Sequence, residues 1–114
     1  MVQPGQLTIE VRERADRVIL VLEGELDLLN ASQLEDALDD PAAERGAMLV
    51  LDLERLHFMD STGLRAIFAA VQKAGERGQR FALTPGSDQV QRLLSVTGVA
   101  KSLPIIAGPD GVPA

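Results

Sequence analysis

Met48-Leu-Val-Leu-Asp-Leu-Glu-Arg-Leu-His-Phe-Met-Asp-Ser-Thr-Gly-Leu-Arg-Ala-Ile-Phe-Ala-Ala70 is the stretch whose reading decides the fold. Its first part, Met48-Leu-Val-Leu51, is a continuous apolar run of strand length, as expected of an inner strand covered on both faces. A tight turn follows. Leu64, Ile67, Phe68 and Val71 then fall at the i, i+3, i+4 and i+7 positions of one face, in a helix that begins at Asp60 or Ser61 and is closed by Gly75 and Gly78. Ser61 stands at the start of that helix. Free backbone N–H groups and the helix dipole favour an oxygen acceptor or an anion there, so its hydroxyl reads either as a structural cap or as a chemical switch.

Working outward, Leu7, Ile9 and Val11 alternate with Thr8, Glu10 and Arg12, the period of a strand with one buried face. The polar run Arg12 to Arg17 marks a hairpin turn into a second apolar run, Val18-Ile-Leu-Val-Leu22. A first helix starts near Asn30, a good N-cap, carries Leu34, Ala37 and Leu38 at helical spacing and ends before Pro41. Beyond the central helix, a short strand spans Arg80 to Leu83. Thr84-Pro-Gly-Ser87 then opens a third helix whose Val90, Leu93 and Leu94 form an apolar stripe ending near Gly98. Leu103 to Ile106 reads as a last edge strand. This order predicts an α/β fold, a mixed, mostly parallel sheet of four to five strands with helices packed on it, since each helix returns the chain in the same direction. Residues 5–107 read as one domain and 108–114, which lack periodicity, as a flexible tail.

A chain of 114 residues is long enough for one core and too short for a second. Apolar residues at 46% and charged residues at 25% are those of a globular protein that folds in water. Seventeen acidic against eleven basic side chains give a net charge of −6, which disfavours nucleic acid and anionic membrane as partners and leaves a protein partner as the easier one. With no cysteine, thiol catalysis, disulfides and thiolate metal sites are excluded. Met1-Val-Gln-Pro-Gly-Gln6 has neither a basic start nor an apolar run, so no signal peptide is expected, and no apolar stretch approaches the roughly 18 residues of a membrane span. The expectation is a cytoplasmic domain without membrane insertion.

The turn Phe58-Met-Asp-Ser-Thr-Gly-Leu64 resembles the conserved loop of the STAS domain, the module shared by sulfate transporters and bacterial anti-sigma factor antagonists. Gly24-Glu-Leu-Asp-Leu-Leu-Asn-Ala-Ser-Gln-Leu34 is similar to the family's second-strand exit and first helix. Phe81-Ala-Leu-Thr-Pro85 resembles its fourth strand, and Arg92-Leu-Leu-Ser-Val-Thr-Gly-Val99 its third helix with a Gly stop. The likeness covers roughly residues 5 to 106.

The resemblance implies a small STAS-like sandwich and an anti-sigma factor antagonist. Ser61 matches the serine whose phosphorylation controls partner binding in that group. It also implies two protein partners, an anti-sigma factor that is a serine kinase and a serine phosphatase, with no cofactor and a monomeric or weakly dimeric state. The partner surface would comprise Asp27, Leu28 and Asn30 from one loop and Met59, Asp60, Thr62, Gly63 and Leu64 around the other. Asp27 matches a position near the phosphorylation loop that contributes to kinase recognition. Many family members carry Thr or Ser where this chain has Asn30, so a second phosphosite there is ruled out while the capping ability is kept.

The residues themselves leave alternatives open. Thr62 is chemically as good a phospho-acceptor as Ser61, and the motif match alone favours the latter. Gly63 either opens the first turn to a partner or packs against the sheet. Asp27 either joins a site with Asp60 at the C-terminal edge of a parallel sheet or accepts hydrogen bonds in its own turn. Leu28 and Leu29 are core or contact surface. His57, the sole histidine, reads as structural or solvated, and no triad, metal cluster or phosphate-cradling Gly-rich loop is visible, so catalysis is not expected. Two further functions remain beside the first: a non-phosphorylated scaffold or transport-accessory protein of the same fold, and a small nucleotide- or anion-binding module using the helix start at Ser61 to Gly63.

Overall fold

The computed structural model of the chain describes residues 6–98, 101 and 103–112. The expected start of the domain at residue 5, the first five of the N-terminal residues read for a signal peptide, Val99 of the third-helix motif and the last two residues of the tail lie outside them. β1 (Leu7–Glu13) and β2 (Val18–Leu26) form the antiparallel hairpin that the alternating pattern and the polar turn predict. From β2 onward each strand runs parallel to the one before, β3 (Met48–Met59) beside β2 and β4 (Arg80–Leu83) beside β3, giving the order β1-β2-β3-β4. Four helices join them: α1 (Ala31–Leu38), α2 (Pro41–Arg45), α3 (Ser61–Glu76) and α4 (Asp88–Val96).

The inner strands are buried on both faces, but by different means. Val18, Leu20, Leu22, Leu49, Leu51, Phe81 and Leu83 point toward the helices, where Leu34, Leu38, Ile67, Ala70, Val90 and Leu94 complete the main core. The alternate residues Ile19, Val21, Met48, Val50 and Ala82 form a second cluster with no helical member; Ile106 joins them from the returning C-terminal segment. The expectation that helices cover the sheet therefore holds for one face, and an irregular strap serves the other.

That strap corrects the reading of the chain's end. Leu103 to Ile106 is not a strand; it makes a single parallel bridge, Ile105 beside Leu83, with Leu83 N donating to Pro104 O at 3.0 Å and Ile106 N to Leu83 O at 2.9 Å. Pro104 has no N–H to extend the ladder. Residues 108–112, read as a tail, are tied down by Arg17, a residue only 6% exposed. Its Nη1 donates to Pro109 O at 3.1 Å and Gly111 O at 2.6 Å, while Nε and Nη2 grip the Asp16 carboxylate at 3.0 and 2.9 Å. Arg14 adds a bond to Asp110. A guanidinium suits this task because its fork serves carbonyls and a carboxylate at once. Arg17→Ala is expected to lower unfolding free energy by about 1–3 kcal/mol, the usual loss when a charged donor is removed from partly buried carbonyl partners, and Arg17→Lys to restore little of it. Urea unfolding followed by circular dichroism checks this, and an unchanged midpoint would sink the account of the strap.

Two further departures have local causes. Pro41 does not merely end the first helix; it opens α2 at the first helical position, where a missing N–H costs nothing, behind Asp40, whose carboxylate accepts from Ala42 N at 2.8 Å. β3 continues eight residues past Leu51. Against β2 its register slips twice, between Asp52 and Arg55 and again between Leu56 and Phe58, each slip placing an extra residue in β3. These bulges re-aim the side chains so that Leu53, Leu56 and Met59 all enter the main core although their spacing is not two. At the far end of the molecule, Lys73 at 2.6 Å, with Arg77 nearby, holds the Asp39 carboxyl below the usual carboxylate range and links α1 to α3.

Candidate functional site

β2 and β3 are parallel neighbours, so the loops that leave them emerge side by side. Leu26 pairs with Met59, and Asp60 N donates to Leu26 O at 3.3 Å across the two exits. The next residues along each chain are Asp27 and Ser61. The convergence expected from sequence is thus a consequence of strand order, with both loops at the C-terminal edge of the sheet.

The Ser61 turn is built by its neighbours. Asp60, in extended conformation, is the N-cap of α3, its Oδ1 accepting from Gly63 N at 2.9 Å, and Leu64 N donates to Asp60 O at 2.9 Å. The capping role considered for Ser61 therefore belongs to Asp60. Ser61 is the first helical residue, exposed, and its hydroxyl makes no hydrogen bond among the described residues. Thr62 is half-buried and lines a groove of about 230 Å³ between α1 and α3, with Ala31, Glu35, Arg65, Ala66 and Ala69. Of the two adjacent hydroxyls, that of Ser61 is the more accessible.

Gly63 is buried, and a Cβ there would overlap Leu26 O and lie 2.7 Å from Met59 Cγ. Packing of α3 on the sheet, rather than openness to a partner, accounts for the glycine. Met59 and Leu64 belong to the core. Along with Gly63, they shape the surface from beneath, and any part they take in binding is through the backbone they hold.

The other loop is a turn stabilised by its own polar ends. Asp27 Oδ1 accepts from Leu29 N at 3.0 Å, and Asn30 N and Ala31 N both donate to Asp27 O. Asn30 precedes α1, yet its side chain does not cap it. Only 3% exposed, it turns back, accepting from Asp27 N at 2.9 Å and donating from Nδ2 to Glu25 O at 2.8 Å. The amide meets both demands from separate atoms, with Oδ1 as the acceptor and Nδ2 as the donor, and so closes the turn between Glu25 and Asp27. The turn it closes drives Leu28 and Leu29 into solvent at 73% and 83% exposure. Two adjacent leucines are thus exposed on the loop that leaves β2, while the neighbouring loop that leaves β3 carries the exposed Ser61, and Asp27 and Asp60 are half-buried. Sequence reading missed two contributors. Gln89 and Ser87, about thirty residues on, hydrogen-bond the backbone of the strand that ends at Met59. Nothing local in the sequence links them to it.

Among the described residues no group of three or more His, Asp or Glu side chains lies close enough to hold a metal ion, and no helix is long and apolar enough to cross a membrane.

Comparison with known proteins agrees with this architecture. The family model of the STAS domain matches residues 7–110. The chain is 31% identical over 100 residues to an anti-sigma-B factor antagonist of Listeria monocytogenes, covering 87% of this chain and 88% of that one. It is 32% identical over 100 residues to an anti-sigma F factor antagonist of Paenibacillus polymyxa, covering 87% and 86%. Among solved structures, an anti-sigma factor antagonist from Mycobacterium paratuberculosis superposes with a TM-score of 0.84 at 26% identity, over 96% of this chain and 93% of that one.

Proposed function

The chain belongs to the STAS domain family, and we propose that within it the protein is an anti-sigma factor antagonist whose partner binding is switched at Ser61. The observation that carries this is the state of Ser61, an exposed and unpartnered hydroxyl between two exposed leucines on one side and the capped start of α3 on the other. Unmodified, this surface docks an anti-sigma factor. Leu28 and Leu29 supply apolar area, Asp27 and Asp60 supply orientation, and the neutral Ser61 permits close approach. Binding there withdraws the anti-sigma factor from its sigma factor.

The same anti-sigma factor, as a serine kinase, transfers the γ-phosphoryl group of ATP to Ser61 Oγ. A new P–O bond forms at the hydroxyl oxygen, the bond to the bridging oxygen of ADP breaks, and the hydroxyl proton leaves to a base of the kinase. A separate phosphatase hydrolyses the ester. Asp60 favours this chemistry by capping α3 itself, which leaves the Ser61 hydroxyl unused by the fold.

The expected result is a single phosphate on the protein recovered from its own cells, located at Ser61 by fragment masses across residues 49–70, and absent from Ser61→Ala. Protein free of phosphate, with Ser61→Ala and Ser61→Asp retaining the same partners, would replace the switch by a scaffold or transport-accessory role on the same surface.

A further inference from the structure

β4 pairs only with Met48 to Leu51 of β3, so from Asp52 onward one edge of β3 has no neighbouring strand. The segment after β4 takes over that edge piece by piece. Thr84 N donates to Leu51 O at 3.1 Å and Thr84 Oγ1 accepts from Leu53 N at 2.8 Å. Ser87 N donates to Leu56 O at 3.3 Å and Ser87 Oγ to His57 O at 2.8 Å. The last rung is Gln89, whose Oε1 accepts from Met59 N at 2.9 Å while Nε2 donates to Met59 O at 2.9 Å. One amide side chain thereby satisfies both backbone groups of a single residue, as an adjacent strand would.

We propose that Gln89 is a positioning residue for Ser61: by standing in for a missing strand at Met59, it fixes the strand exit from which Asp60 caps α3 and Ser61 projects. The geometry leaves little other purpose for it. The Gln89 side chain lies on an exposed helical position, where a free glutamine would point to water, yet both of its polar atoms are spent on the residue two before Ser61. The body of α4 is held independently by Val90 and Leu94 in the core, and Gly86 leaves room at its start, where a Cβ would lie 2.8 Å from Val90 Cβ and 3.2 Å from Leu53 O of β3. Anchored so, α4 is a fixed post and Gln89 an arm that reaches the strand end. On the other side of β3, Leu26 O takes Asp60 N, so the Ser61 turn is gripped from both flanks. Loss of one grip leaves Met59 N and O without partners and the turn with a second, looser set of conformers.

The inference rests on Ser61 being the modified residue, and its test separates the two claims. Full-length Gln89→Met, close in length and without hydrogen bonds, is compared with wild type by amide hydrogen exchange and by phosphorylation of Ser61 from ATP, with a clarified extract of the source cells as kinase and Ser61→Ala as blank. Exchange at Met59 is expected to quicken roughly tenfold while Val50, Leu51 and Ile67 keep their protection. The initial rate of Ser61 phosphorylation is expected to fall by a similar factor, because the competent turn is populated only part of the time. Gln89→Glu, which still accepts from Met59 N but cannot donate to Met59 O while ionised, is expected to keep most of the Met59 protection and to recover part of the rate, and it replaces the Met variant if that does not fold. Unchanged exchange at Met59, or a rise shared equally by the core amides, overturns the positioning role whatever the kinase does. Faster exchange with an unchanged phosphorylation rate overturns it as well. Faster exchange confined to Met59, with no phosphorylation even of wild type, upholds the hold on the turn and removes the switch reading of Ser61 instead.

Discussion

Gly63→Ala is expected to destabilise the domain by about 2 kcal/mol and to lower its melting temperature by about 8 °C, although Ala is intrinsically the better helix former. The two effects oppose each other and their sizes decide the sign. Exchanging Gly for Ala inside a helix gains about 1 kcal/mol through the backbone. Here the added Cβ overlaps Leu26 O and stands 2.7 Å from Met59 Cγ and 3.0 Å from Leu26 Cγ, and both of those residues are fully buried. A backbone carbonyl in a strand cannot turn aside, so α3 must lift off the sheet, and overpacking of this kind costs about 1–3 kcal/mol and at times more. The same carbonyl receives Asp60 N, so a displaced helix also drags the cap and Ser61 with it. Gly75 provides the control, since a Cβ there meets nothing within 4 Å; Gly75→Ala is expected to be neutral or to stabilise by up to about 1 kcal/mol. Thermal and urea unfolding of the two variants side by side checks the pair. If both were stabilised, the close approach of α3 to β2 would not be what requires Gly63.

How much of this was legible in the sequence follows from the range over which each signal acts. β1, the start of β2, the first third of β3, α3 and β4 announce themselves because their apolar spacing is set by neighbours within a few residues. The parallel order follows from alternating strands and helices. The rest of β3 was hidden: its two bulges put Leu53, Leu56 and Met59 on one face at spacings of three, so the run Glu54-Arg-Leu-His-Phe58 shows neither a period of two nor a helical one. Pro41 was ambiguous because the residue that stops one helix is favoured at the first position of the next. The strap was unreadable for another reason. Its anchor is a buried arginine near the start of the chain, and a Gly-Pro-Asp-Gly run looks the same whether or not a guanidinium holds its carbonyls.

At the site, the motif located Ser61 but not the division of labour around it. Asp60 and Ser61 are both good caps, and only the backbone geometry assigns the cap to Asp60. Asn30 reads as a cap for the same statistical reason, yet its amide is spent on Asp27 N and Glu25 O, closing the turn that exposes Leu28 and Leu29. Gln89 was out of reach altogether, since its role depends on β4 ending at Leu83 and leaving an edge of β3 unpaired.

Phosphorylation of Ser61, or its imitation by Ser61→Asp, is expected to weaken binding of the anti-sigma factor more than a hundredfold while changing the stability of the free domain by less than about 1 kcal/mol. The two readouts separate because the charge meets different surroundings in the two states. In the free protein the new anion sits at the first residue of α3, exposed, where the dipole and the unpaired N–H groups of the first turn favour negative charge by about 0.3–1 kcal/mol. Repulsion from the nearby carboxylate of Asp60, damped by water, is of similar size and opposite sign, so the fold is nearly indifferent. Docking removes that water. A phosphate with about −1.5 to −2 charges must then be stripped of solvent beside Asp60 and within the apolar contact of Leu28 and Leu29, and an uncompensated charge buried at an interface costs about 2–5 kcal/mol or more. At 1.4 kcal/mol per factor of ten, the middle of that range already exceeds a hundredfold. Calorimetric titration of Ser61→Ala and Ser61→Asp against the isolated anti-sigma factor, with amide spectra of both variants, tests the separation. Near-identical spectra with binding kept by Ala and lost by Asp is the expected outcome. Equal binding by both would remove Ser61 from the proposed interface, and spectra that differ across the sheet would mean that the charge acts by reshaping the fold rather than at the proposed docking surface.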